Sequence, residues 1–417
     1  MQRRTRLILG VLTVLAATAG AWRYLHAPLH IVPGEPGAFV PGGPIPGDPP
    51  ARPATEVLKV PPVLAKGAFA VPHTLTLPAG FHVALWATNL PGVRLMAIGP
   101  HTGDVYATET GGGRVVRISD PLNRGNPVVT TIISGLDRPH GIVWQNGQLY
   151  IAENGRVIRL HYRDGDTIAD GFDAIAELVG GGGHVTRSIA FGPDGKLYVA
   201  AGSSCNVCQE TDERRAAIAR YGADGGYDGI YARGMRNAVG ITFRPGTDEL
   251  WAVVNGRDGL GDDLPPEQLD RVQAGDDFGW PVCHGWGIID PQYGNNHSCQ
   301  GKAAPALPIQ AHSAPLAVRF YDGRLFPAEY QGDLFIALHG SWNRTEPTGA
   351  KVIRVHMHGD KPASASYENF LTGFQLPNGS RWGRPVDLVV APDGALLLSD
   401  DASGSIYRIW YDGGAGA

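Results

Sequence analysis

From about Leu75 to Tyr411 one short pattern of apolar and polar positions recurs along the chain. A turn with Gly or Asp precedes an apolar run, and a second run rich in Arg, Val and Ile follows. Asp104-Val105-Tyr106-Ala107 with Arg114-Val115-Val116-Arg117-Ile118 is the first instance. Gln148-Leu149-Tyr150-Ile151 with Arg156-Val157-Ile158-Arg159-Leu160 is the next. Four more follow, around Tyr198, Trp251, Phe335 and Leu397. Short runs of alternating, β-branched and aromatic residues between turn formers read as strands. Helical spacing is nearly absent, and Asp212 to Arg220 is the best short helical stretch.

The six aromatic-or-Leu markers stand 44 to 84 residues apart. A four-stranded propeller blade takes about 40–50 residues. Six markers therefore predict an all-β chain, a six-bladed β-propeller of four-stranded antiparallel blades over residues 75–417. The long gap after Trp251 holds Cys283 and Cys299 and reads as an excursion on one face. Each blade alone exposes an apolar face, and closing the ring buries those faces and most strand edges.

Ahead of the repeat, residues 27–74 are rich in Pro and Gly and read as a semi-extended linker. Residues 1–26 read as a signal peptide or N-terminal anchor. Arg3, Arg4 and Arg6 precede an apolar run from Leu7 to Ala21, with Ala17-Thr18-Ala19 as a candidate cleavage site. Either outcome exports the bulk of the chain to the periplasm or another extracytoplasmic space, in the second case anchored to the membrane.

Composition agrees with a many-turned exported protein. The 417 residues include 58 Gly and 33 Pro, and the net charge of -5 argues against a nucleic-acid partner. Four cysteines in an exported chain suggest two disulfides. Local pairing, Cys205 with Cys208 and Cys283 with Cys299, closes two short loops. Gln209 after Cys208 rules out the haem-attachment pattern, which needs His there.

Candidate chemistry lies beside the strand pattern. Gly180-Gly181-Gly182-Gly183 runs into His184 just before the third blade; the glycines suit a loop lying close to a ligand, and His suits general-base work. Arg236 and Asn237 open a strand of the fourth blade, a planar fork beside a donor–acceptor pair. The oxygen-rich loop from Val254 to Leu264, with Asp276 and Asp277 after it, suits a hard cation such as calcium. His339, Asn343, Arg344 and Arg384 begin later blades, and Arg94 and His140 hold similar places in earlier ones. A cation or His thus recurs at one rim, which points to an anionic ligand in the channel.

In order, His184-Val185-Thr186-Arg187, Gly234-Met235-Arg236-Asn237, Asp276-Asp277-Phe278-Gly279-Trp280-Pro281, His339-Gly340-Ser341-Trp342-Asn343-Arg344 and Gly383-Arg384-Pro385-Val386-Asp387 resemble the glucose/sorbosone dehydrogenase family. The Cys-Asn-Val-Cys and Gly-Ser-Trp-Asn-Arg loops are closer to its sorbosone branch. The resemblance implies oxidation of an aldose or related sugar at C1, with pyrroloquinoline quinone (PQQ) and Ca2+ as cofactors. It implies His184 as the base, with Arg236, Asn237 and Arg384 holding PQQ. Carbonyls of Gly256 and Arg257 are then the calcium ligands. Val386 replaces a further family arginine. The family's fifth-blade lysine has no clean match, with His339, Asn343, Arg344 or Lys351 as substitutes. With no haem motif in the chain, electrons leave to a separate cytochrome or quinone. A gluconolactonase-like hydrolase and a non-catalytic binding propeller are the alternatives. The first needs a carboxylate-rich metal centre, and the second predicts no PQQ binding.

Overall fold

A computed structural model describes residues 42–120, 127–295 and 297–413. The reading of residues 1–26, and of the linker up to residue 41, lies outside these. Six four-stranded antiparallel sheets form a closed ring. The innermost strands, from blade one to blade six, are Val93–Ile98, Gly141–Gln145, Arg187–Phe191, Ala238–Phe243, Pro315–Phe320 and Pro385–Val390. Each packs against the innermost strand of the next blade, and the sixth meets the first. The outermost strand of blade six is Phe81–Ala87, from the start of the domain. It pairs with the last strand, Ser405–Tyr411, so that Val83 faces Ile409. Joining the two ends in one sheet closes the ring and leaves no free edge at the junction.

All six markers lie on second strands: Val105–Glu109, Gln148–Ala152, Leu197–Ala201, Leu250–Val254, Leu334–Leu338 and Leu396–Asp400. These strands are buried almost throughout rather than on alternate residues. Neighbouring blades cover both their faces, so both side-chain sets are apolar, as in any strand covered on two sides. The helical stretch expected at Asp212 to Arg220 is instead a turn followed by the strand Ala217–Tyr221. No α-helix occurs among the described residues, and none of their helices is long and apolar enough to cross a membrane.

The described part of the expected linker is built into the body. Pro53–Val57 pairs with Thr74–Pro78, and Leu58 and Phe69 join the core around Leu75, Phe81 and Phe374. His73 stacks on Trp382 at 3.9 Å between ring centroids. Further upstream, main-chain carbonyls make the attachment. The Ile45 carbonyl accepts from Tyr367 Oη, and that of Pro46 accepts from Lys351 Nζ at 2.9 Å. A Pro/Gly segment has few apolar side chains to bury, but its carbonyls still accept hydrogen bonds. That is how a stretch of linker composition becomes ordered here.

Both cysteine pairs form as expected, Cys205 with Cys208 and Cys283 with Cys299. The second lies in the excursion between the third strand of blade four, Glu267–Val272, and its outermost strand, Leu307–Ile309.

Candidate active site

The chemistry-bearing residues gather at one mouth of the ring, at the starts of innermost strands and the ends of second strands. His184 precedes the innermost strand of blade three. Its Nδ1 lies 2.8 Å from the Ser203 carbonyl oxygen. A carbonyl only accepts, so Nδ1 carries the proton and Nε2 keeps its lone pair. Burial, then the nearby Arg236 charge, lowers the His184 pKa to about 4. The ring is therefore neutral at pH 7 and ready to accept a proton at Nε2.

The loop carrying His184 is pinned from below. Arg187 donates to the carbonyls of Val179, His184 and Thr186. Arg215 donates to those of Gly180, Gly181 and Gly202. Part of the glycine run makes room for this clamp. A Cβ on Gly182 would meet Arg215 Nη1 at 2.9 Å, and one on Gly183 the Ser204 carbonyl oxygen at 3.0 Å. Gly202 matters most, since a Cβ there would fall 2.2 Å from Asn237 Oδ1 and 2.7 Å from His184 Cβ.

Arg236 and Asn237 lead into the innermost strand of blade four. Arg236 Nε donates to the Asn206 carbonyl at 2.9 Å and Nη2 to Asn206 Oδ1 at 3.0 Å. Asn206 is the residue looped out by the Cys205–Cys208 disulfide, so that staple positions Arg236. Asp258 joins the next elements. It pairs with Arg236 at 3.2 Å and accepts from Asn343 Nδ2 at 2.6 Å. Asn343 Nδ2 also donates to His312 Nδ1 at 3.3 Å, while His312 Nε2 donates to the Gly261 carbonyl. Arg344 pairs with Asp263 at 3.0 Å.

A second network faces this one across the loop from His339 to Arg344. His339 Nε2 donates to Asp401 Oδ1 at 2.8 Å, and its Nδ1 accepts from Arg384 Nη2 at 2.7 Å. Arg94 Nη1 donates to Asp401 Oδ2 at 2.8 Å. The attached donors outweigh burial and hold the Asp401 pKa at about 2. His140 is fully buried near Arg94, and burial keeps it neutral. Among the described residues its Nε2 has no partner, nor do Arg94 Nε, Arg384 Nε and Asn343 Oδ1.

Structure and sequence differ here in four respects. Several of the expected rim cations carry carboxylate partners: Arg94 has Asp401, Arg236 has Asp258 and Arg344 has Asp263. His339, Asn343 and Arg344 follow the second strand of blade five rather than opening a blade. Lys351 lies beneath Pro46 and Tyr367 in the crevice between blades four and five, apart from these networks. Asp276 and Asp277 do not join the oxygen-rich loop. Asp277 instead pairs with Lys302 and caps the Gly279 N–H. Val386 joins Val239 and Leu316 in a small apolar cluster. These are the second residues of three innermost strands, so an arginine there would bury its charge among aliphatic groups.

The two networks differ in charge. One holds Arg94, Arg384 and Arg381 in succession, with the carboxylates of Asp401 and buried Asp387 beside Arg94, whereas Asp258, Asp262, Asp263 and Glu267 lie with Arg236 and Arg344. A polyanion such as PQQ fits the first, with orphaned guanidinium nitrogens available, and a divalent cation fits the second. The carbonyls expected to hold calcium, those of Gly256 and Arg257, accept no hydrogen bond among the described residues. Buried Glu267 fixes their loop through the Gly256 N–H, and it also accepts from the Ala314 N–H at 3.2 Å. The Arg257 side chain turns away to buried Asp290.

A lactonase-like carboxylate centre has less support. Among the described residues, the one group of His, Cys, Asp and Glu close enough to share a metal is Cys205, Cys208 and Glu210, and its cysteines form a disulfide. Ser203, Arg215, Glu267, His312 and Asp401 were not singled out from the sequence, and Asp258 was seen there only as part of the oxygen-rich loop. A signal existed for Asp401, which follows its second strand as His339 follows the one before.

Comparison with known proteins agrees with this architecture. The TrAA12-like family model matches residues 75–287 and 265–412. An uncharacterized protein of Borreliella burgdorferi is 31% identical over 358 residues, 82% of this chain and 92% of that protein. The PQQ-dependent pyranose dehydrogenase of Coprinopsis cinerea is 28% identical over 240 residues, 44% of this chain but 31% of that longer protein. The holo PQQ domain of a Coprinopsis cinerea pyranose dehydrogenase superposes with a TM-score of 0.69 at 20% identity, covering 81% of this chain and 97% of the domain.

Proposed function

The chain belongs to the TrAA12-like family, and from that premise we propose that it is a PQQ-dependent sugar dehydrogenase. The protein is an oxidoreductase whose substrate is an aldose or related sugar, sorbosone-like in type, oxidised at C1. The observation that carries this reading is His184, neutral and with its tautomer set by the Ser203 carbonyl. Its Nε2 accepts the proton of the C1 hydroxyl as the C–H bond breaks. When bound, PQQ would supply the two-electron acceptor for the C1 hydrogen, and calcium would supply a Lewis acid.

The chain's own groups bind and orient. Arg236 and Asn237 present donors next to His184, held by Asn206 and Asp258. Arg384, and Arg94 behind it, offer guanidinium groups to the cofactor's carboxylates. His339, neutral between Asp401 and Arg384, fixes the direction of the Arg384 fork. Gly256 and Arg257 offer carbonyls to calcium. The apolar cluster of Val239, Leu316 and Val386 buries the start of three innermost strands beneath these groups. The two disulfides support an extracytoplasmic location. The electrons pass on to a separate cytochrome or quinone.

The test is reconstitution of the purified protein with PQQ and calcium, followed by aldose-dependent reduction of an artificial dye. Absence of both PQQ binding and dye reduction with any sugar would overturn the proposal.

A further inference from the structure

Two guanidinium groups stand together at the mouth without an acidic partner. Arg381 and Arg384 are three residues apart on the turn into the innermost strand of blade six. Arg381 Nε donates to Gln375 Oε1 at 3.3 Å and Nη2 to the Ser341 carbonyl. Arg384 Nη2 donates to His339 Nδ1. Among the described residues neither side chain forms an ion pair, and neither Nη1 has a hydrogen-bond partner. The two charges are close enough that Arg384, after burial, disfavours the charged form of Arg381.

The surrounding carboxylates are already committed. Asp401 holds Arg94 and His339. Asp400 accepts from Ser403, Tyr407 and the Arg384 N–H. Asp387 is fully buried and accepts from the Met96 N–H. The chain nevertheless makes deliberate room for Arg381. Gly340, at φ 101°, lies against its guanidinium, and a Cβ there would meet Nε at 2.8 Å and Cζ at 2.9 Å. Both residues are part-buried, and like charges held side by side with reduced access to water are costly unless an anion joins them. A planar two-oxygen anion suits two guanidinium forks.

We propose that Arg381 and Arg384 together form a clamp for an organic carboxylate, with Arg381 a binding residue in its own right. The inference rests on the dehydrogenase reading insofar as the carboxylate belongs to PQQ. The same chemistry is met by the carboxylate of an acidic sugar such as a uronate.

The test compares the parent protein with Arg381→Gln and Arg381→Lys. PQQ binding to the apo-protein is followed by tryptophan fluorescence, D-galacturonate binding by calorimetry, and folding by thermal melting. If the clamp serves the cofactor, Arg381→Gln weakens PQQ binding at least tenfold, Arg381→Lys falls between, and the apo melting temperature holds. If it serves the substrate, PQQ binding is unchanged while D-galacturonate binding is lost and D-galactose turnover is kept. Unchanged affinity for both ligands overturns the clamp. A parent protein that binds no PQQ overturns the dehydrogenase reading instead, and the clamp is then judged on D-galacturonate alone.

Discussion

Gly202 is the position where one added carbon does most damage to the proposed chemistry. Its Cβ in Gly202→Ala would lie 2.2 Å from Asn237 Oδ1 and 2.7 Å from His184 Cβ. Ordinary contact between such atoms needs about 3.5 Å. Asn237 and His184 must therefore give way by about 1 Å between them and the backbone. His184 does not move freely, since it is tied to Ser203, and the backbone does not either, since the Gly202 carbonyl is held by Arg215. Overpacking of this kind costs about 1–3 kcal/mol of stability, and misplacing a catalytic group by ~1 Å costs about a hundredfold in rate. The assay is steady-state dye reduction by the reconstituted enzyme, with the melting temperature measured alongside. Gly111→Ala is the control, because nothing lies within 4 Å of a Cβ there. A Gly202→Ala enzyme that keeps kcat within threefold of the parent, or a control that loses as much, would refute the reasoning.

Four further outcomes follow from the geometry. His184→Gln lowers kcat by about 10²–10⁴-fold while the PQQ affinity measured by fluorescence holds; loss of PQQ instead makes His184 a binding residue. With the His184 pKa near about 4, the acid limb of kcat/KM falls near pH 4; a limb near 6.5 contradicts the buried neutral ring. His356 lies 3.5 Å from both Asp333 and Glu368, and these partners raise its pKa to about 9. Its stabilisation is full below the unfolded pKa of about 6.5 and is lost as pH rises through about 9, so His356→Gln flattens the loss of melting temperature over that range. The double variant Cys283→Ser/Cys299→Ser loses about 3 kcal/mol, read by urea unfolding, while Cys205→Ser/Cys208→Ser mainly weakens PQQ binding because Asn206 no longer holds Arg236.

The fold was legible because a propeller blade is a local object. Each turn, second strand and third strand sits within one short stretch, so Tyr106, Tyr150, Tyr198, Trp251, Phe335 and Leu397 mark six blades without any long-range knowledge. His184, Arg236, Asn237 and Arg384 were visible for a related reason. They stand at equivalent points of a repeat, and a repeat that closes on itself brings equivalent points to one mouth.

What the sequence by itself determined is thus the blade count, the mouth and most of the side chains that face it. The tertiary structure decided which charges meet. Asp401 answers Arg94 across 307 residues, and Asp258 answers Asn343 across 85. It decided that the Pro/Gly segment from residue 42 onward packs on the body, through carbonyls that every residue carries. It also decided that, among the described residues, Arg381 and Arg384 stand without an acidic partner. Strand period and turn chemistry act over a few residues and are written locally. Electrostatic pairing acts through space between segments that meet only when the ring closes, so composition alone could not reveal it.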